Sequence, residues 1–239
     1  GKDTPRKKYS SGVRKQRRFP EEPSSQPIRS ALKPAGKKQE YLLVDGYNVI
    51  FAWERLKALA EDNLDGAREA IRYLIQKGHR RIAHICGNPN KMVTMDRFNG
   101  YIQSMQEARL EVLDGYIQYT STDYKSGYDR MKALLELPTP PSAVFCSDDA
   151  IASYAVRAAM DMGFRVPEDI SVMGFDNQRI LPDFYRGPAI TSVEQPLYTI
   201  GMDSIRLLSE RLNQADPGQA VRKTYKTRII EKETVGEYR

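Results

Sequence analysis

The chain has 239 residues, 40% of them hydrophobic, enough for one large or two small domains. No apolar run approaches the roughly 18 to 20 residues of a membrane-spanning helix, and the basic stretch Gly1–Phe19 lacks the apolar centre of a secretory signal. Its two cysteines, Cys86 and Cys146, lie in apolar runs with no metal-ligand spacing, which predicts reduced thiols, no disulfide framework and a cytoplasmic setting.

The net charge of +6 is unevenly distributed: residues 1–40 hold 12 Lys/Arg and 4 Asp/Glu, whereas the remainder carries a slight acidic excess. That first segment also contains Pro5, Pro20, Pro23, Pro27 and Pro34 and no helical period, so it reads as a disordered basic tail. Such a tail can contact nucleic acid through phosphates without sequence preference, or serve only as a solvated linker.

Beyond the tail, apolar runs alternate with amphipathic segments. Tyr41–Val44 reads as a short strand, and Ala67, Ala70, Ile71, Leu74 and Ile75 define a helix over 65–77. Residues 81–86 form a strand; 95–108 form a helix with Met95, Phe98, Tyr101, Ile102 and Met105 on one face. A strand tip at 117–119 and a helix over 125–136, with Tyr128, Met131, Leu134 and Leu135 inward, come next. Ala143–Cys146 has the continuous apolarity of a strand buried on both faces. Asp148 and Asp149 then sit where carboxylates accept the free N–H groups of a helix start, and that helix runs to Met162. Strands at 170–173 and 190–193, a helix over Leu197–Leu212 and a strand at 227–230 complete the series. Strands separated by helices predict an α/β fold, a parallel sheet with helices on both faces.

Ligands bind such sheets beyond the carboxyl ends of their strands. The segments to inspect are therefore Gly87–Asn90, Ser147–Asp149 and Gly174–Asn177; polar side chains gather at two of these ends, near Arg97.

Gly66–Ala83, Asp96–Tyr101, Pro141–Ala152 and above all Gly163–Asp176 (GFRVPEDISVMGFD) resemble the sensor domains of lactose/galactose-repressor (LacI/GalR) regulators. The resemblance covers 63–239 and implies a periplasmic-binding-protein-like, type I lobe clasping a sugar-like or nucleoside-like effector, with a homodimer as a further expectation. It implies that Arg97 donates to ligand hydroxyls, that Asp148 and Asp176 accept from them, and that Gln195 lies on the crossover between lobes. Phe175 offers an apolar face to the ligand or packs near the hinge. Two parts of the family pattern find no counterpart: the helix-turn-helix headpiece, and most of the first lobe.

In their place stands Gln39–Trp53 (QEYLLVDGYNVIFAW), similar to the opening of NYN (PIN-like) ribonuclease domains, in which the aspartate matching Asp45 helps bind a catalytic metal. This match covers 41–68 and meets the first at Asp62–Arg68, which suits either family and marks a fusion point. The expected organisation is a tail at 1–40, an NYN-like fragment at 41–62 and a sensor domain at 63–239. A single carboxylate holds Mg²⁺ weakly, His79 and His84 are poorly spaced for one metal, and no nucleophile has a base partner. His79 reads as an exposed turn residue and His84 as a strand residue. The reading is therefore an effector binder without catalysis, cofactor or membrane association. The alternatives are an RNA-processing fragment acting through Asp45 and its basic tail, or a folded fusion without a specific ligand. With the first lobe missing, segment 41–60 is expected to cover the apolar stripe Leu197, Ile200, Ile205, Leu208 and Leu212.

Overall fold

A computed structural model describes residues 62–120, 125–180, 185–212, 223 and 225–238. The readings made for 1–61, among them the tail, the strand at Tyr41–Val44, Asp45 and the cover supplied by 41–60, lie outside these residues.

The described chain runs α1 (Asp62–Gln76), β1 (Ile82–Cys86), α2 (Met92–Glu107), β2 (Ile117–Tyr119), α3 (Ser126–Leu135) and β3 (Ala143–Cys146). It continues with α4 (Asp149–Asp161), β4 (Ser171–Phe175), β5 (Thr191–Glu194), α5 (Leu197–Leu212) and β6 (Arg228–Ile230). The strands form one sheet in the order β2-β1-β3-β4-β5-β6. The first five are parallel. The last departs from the expected parallel arrangement: β6 pairs antiparallel with β5, Val193 opposite Ile229.

Side chains alternate across the strands, so each central strand feeds two cores. On one face Ala83, Ile85, Val144, Cys146 and Val172 pack against Met131 and Leu134 of α3 and Ile151, Ala155 and Val156 of α4. On the other, Ile82, Phe145, Met173 and Phe175 pack against Ala67, Ile71 and Leu74 of α1 and Tyr101 and Met105 of α2. Burial on both sides explains why β1, β3 and β4 read as nearly continuous apolar runs.

Three side-chain expectations differ from the structure. The buried stripe of α2 is Thr94, Arg97, Gly100, Tyr101, Ser104 and Met105 rather than one containing Met95 and Phe98. Small residues lie on it because α2 crosses α1 closely, and Arg97 because it has partners in the interior. His79 is buried, not exposed: its ring meets Ser142 Oγ at 3.0 Å and Gly236 O at 3.2 Å under the C-terminal segment, which returns along the sheet. The expected stripe of α5 splits, with Ile200 buried and Leu197 and Ile205 exposed.

Candidate functional site

The site is built around Arg97, on the second turn of α2 and only 3% exposed. Burying a guanidinium is costly unless each of its N–H groups finds an acceptor. Here all five do. Nη2 and Nη1 donate side by side to Asp176 Oδ1 (2.7 Å) and Oδ2 (3.1 Å), a bidentate ion pair. Nε and Nη2 donate to Asn63 Oδ1 at 3.1 and 2.9 Å, and Nη1 also donates to the Ser147 carbonyl. The guanidinium lies over the Phe175 ring, 3.8 Å from its centroid, a stacking geometry that suits a planar cation.

Each partner comes from a different element for a local reason. Asp176 follows β4 in a turn where it and Asn177 both have positive φ, 88° and 46°, a conformation that Asp and Asn tolerate better than most L-residues. Ser147 follows β3. Gln195 follows β5, and its Nε2 donates to Asn63 Oδ1 at 2.8 Å and towards Asp176 Oδ1 at 3.4 Å. The site thus lies where the carboxyl ends of β3, β4 and β5 meet α1 and α2.

The structure brings Arg97, Asp176, Gln195 and Phe175 into direct contact. Asp148 stands nearby in a different role: its Oδ1 accepts from Ile151 N at 2.7 Å, capping α4. Burial raises its carboxyl above the ordinary range, the Arg97 charge opposes this and Asp176 adds to the rise, so all three groups share one field. The cap occupies one oxygen edge of Asp148, whereas the half-buried edge of Asp176 carries the lone pairs left over from Arg97.

Asn63 was not singled out from the sequence, yet its one oxygen accepts from both Arg97 and Gln195. The available signal was a polar residue opening α1 within the stretch shared by two family resemblances, which does not reveal partners 34 and 132 residues away. His84 lies deeper in the same face, wholly buried and stacked on Phe145 at 4.8 Å. Burial pushes its pKa down to about 4, with Arg97 adding to the effect, so the ring is neutral and Nδ1 donates to Phe145 O at 2.9 Å. Among the described residues, no group of three or more His, Cys, Asp or Glu is arranged to hold a metal ion, and no helix is long and apolar enough to cross a membrane.

Comparison with known proteins places this geometry. The model of the periplasmic binding protein-like domain matches residues 71–235, and that of the YacP-like NYN domain matches 42–80. The second match thus runs beyond residue 68 through α1, the helix whose apolar face fills one of the two cores described above. The HTH-type transcriptional repressor CytR of Escherichia coli (strain K12) is 35% identical over 161 residues, 67% of this chain and 47% of that protein. PurR of Escherichia coli O139:H28, also an HTH-type transcriptional repressor, is 33% identical over 195 residues, 79% of this chain and 56% of that protein. The chain therefore spans about half the length of the curated relatives it matches. Among solved structures, the transcriptional regulator CelR in complex with cellobiose superposes with a TM-score of 0.66 at 33% identity, covering 72% of this chain and 52% of that one. The Escherichia coli transcriptional repressor ascG superposes with a TM-score of 0.65 at 28% identity, covering 73% and 62%. With the α/β sheet, the site at its strand ends and a family match over more than two thirds of its residues, the chain belongs to the periplasmic binding protein-like domain family, as an effector-binding domain of the LacI/GalR regulators.

Proposed function

We propose that the chain senses a small polyhydroxylated molecule, a sugar or nucleoside, at the Arg97–Asp176 edge, as the effector-binding part of a transcriptional regulator that works as a homodimer in the cytoplasm. The observation that carries this reading is the buried bidentate pair of Arg97 and Asp176 at the carboxyl ends of the parallel strands. A pair so placed costs desolvation that a purely structural site could avoid with apolar residues. It presents acceptor lone pairs on Asp176 and a guanidinium whose bonds to Asp176 or Asn63 a ligand hydroxyl can replace. The cellobiose complex of CelR favours a sugar. Asp148 and Gln195 border the same edge and would take further hydroxyls, and Phe175, stacked beneath Arg97, fixes the plane of the fork.

The experiment is a thermal-shift screen of the full chain against cellobiose, other sugars and nucleosides. A ligand that binds only the folded state, present at 100 times its Kd, adds about 2.7 kcal/mol of stability and raises the melting temperature. A flat panel would sink the sensor reading and favour a folded fusion without a specific ligand.

The NYN match at 42–80 supports a second reading, RNA processing through Asp45 with the basic residues 1–40 gripping phosphates. We expect no cleavage of single-stranded RNA with Mg²⁺ or Mn²⁺, since one aspartate is a poor site for either ion. Cleavage that is lost in Asp45→Asn would promote this alternative.

A further inference from the structure

Asp148 and Asp149 are adjacent carboxylates with different roles. Asp148 caps its own helix, whereas Asp149 turns inward and is 1% exposed. Its Oδ2 accepts from the backbone N–H of Gln178 at 2.6 Å, and its Oδ1 lies over Gly174, where a Cβ would come within 2.0 Å of it. Gly174 therefore leaves the space that admits the carboxylate. Gln178 ends the strained turn that carries Asp176. The two preceding N–H groups are also held: Asp176 N donates to Val193 O at 2.8 Å and Asn177 N to Ser192 Oγ at 3.0 Å. Two of these three acceptors lie on β5, and the third, Asp149, ties the turn to α4. Positive-φ conformations at two consecutive L-residues persist only where the surroundings over-determine them.

We propose that Asp149 is a positioning residue of the effector site: its ionised carboxylate clamps the Asp176–Gln178 turn and so aims Asp176 at Arg97, and the clamp slackens when it takes up a proton. This rests on the sensor reading for its functional consequence, though not for the clamp itself. A charged acceptor makes a bond about twice as strong as a neutral one, so protonation weakens the hold on Gln178 N. The surroundings place that event near neutrality. Burial raises the Asp149 pKa to about 7, the Ser192 hydroxyl and the Gln178 N–H oppose the rise, the Asp176 charge adds to it and Lys232 counters. The other ionisable neighbours are Asp148 on the same helix, the Cys146 thiol at the end of β3, and Arg179, Tyr185 and Glu233, which line a cavity of about 340 Å³ with Asp149.

The sign follows from proton linkage. Between the ordinary aspartate range and about pH 7 the folded chain holds a proton that the unfolded chain has released. The contribution of this group to stability therefore falls as pH rises through that window. Asp149→Asn, which is isosteric and neutral, should melt higher than the parent at pH 8, an advantage that disappears by pH 4.

The test is by NMR on the full chain. The Gln178 amide proton should titrate with a midpoint of about 7, the Arg97 Nε–H resonance should follow it, and neither should titrate in that range in Asp149→Asn. A Gln178 amide that does not move between about pH 5.5 and 8.5, or titration that survives in Asp149→Asn, would overturn the clamp. Cellobiose and the sugar and nucleoside panel supply the second arm. Affinity of the parent for a binding probe should fall about threefold or more from pH 8 to 6, and that of Asp149→Asn should not. Affinity indifferent to pH while both resonances titrate would refute the positioning role. If no probe binds the parent at any pH, the sensor reading fails, and the two resonances still decide the clamp.

Discussion

Arg97→Ala should lower the stability of the folded chain by about 3 to 5 kcal/mol in urea unfolding and abolish effector binding. The cost has a definite source. Removing the guanidinium takes from the Asp176 carboxylate its bidentate partner, leaves the Asn63 oxygen to Gln195 Nε2, and strips the cover from the Phe175 ring. An orphaned buried charge is penalised more heavily than the intact pair was rewarded. The double substitution Arg97→Met with Asp176→Asn, whose asparagine the positive φ of residue 176 tolerates, separates stability from function. It removes both charges and leaves an apolar filler, so it should recover much of the lost stability while binding nothing. Arg97→Lys should bind weakly as well, since an ammonium cannot make two parallel bonds to a carboxylate or stack flat on a ring. A loss below about 1 kcal/mol in Arg97→Ala would show that the pair is solvated in solution and that the buried geometry is wrong.

Gly100→Ala should destabilise the chain by about 2 kcal/mol, although alanine is the better helix former. At an exposed helical site the exchange would gain up to about 1 kcal/mol. Here a Cβ on residue 100 would come within 2.5 Å of Leu64 O, 2.8 Å of the Ala67 side chain and 3.3 Å of Arg68 N, so α1 and α2 must separate. The contact with Leu64 is to backbone, which cannot swing aside as a flexible side-chain tip can. Leu64 follows Asn63, and Gly100 lies one turn beyond Arg97 on α2. The displacement should therefore reach the Asn63–Arg97 bonds and weaken effector binding together with the fold. Melting and binding measured on the same variant test both consequences. A rise in melting temperature would mean that the helices do not approach as closely as the structure has them.

The largest features were legible before the structure because they depend on local pattern. Continuous apolar runs marked β1, β3 and β4, since a strand covered on both faces has no polar side to show. The helical period of Ala67, Ala70, Ile71 and Leu74 marked α1. Arg97, Phe175 and Asp176 could be nominated because open parallel sheets place loops at one end, and the family resemblance pointed to the same residues and added Gln195. Helix starts rich in carboxylate were equally plain at Asp148 and Asp149.

Tertiary structure decided what each polar group does, because the choice depends on partners far away in the chain. Asp148 and Asp149 look alike in sequence; the entry angle of α4 sends one to its own N–H groups and the other across to Gln178. Asn63 became the hub of the Arg97 network only when α1, α2 and the end of β5 were packed together. His79 was buried by a C-terminal segment more than 150 residues further on. The antiparallel seating of β6 likewise follows from where the chain returns after α5. Apolar periodicity records which face of an element turns inward, for burial is non-directional and a pattern suffices to express it. Hydrogen bonds and ion pairs are directional and short-ranged, so their partners are settled only when the elements meet.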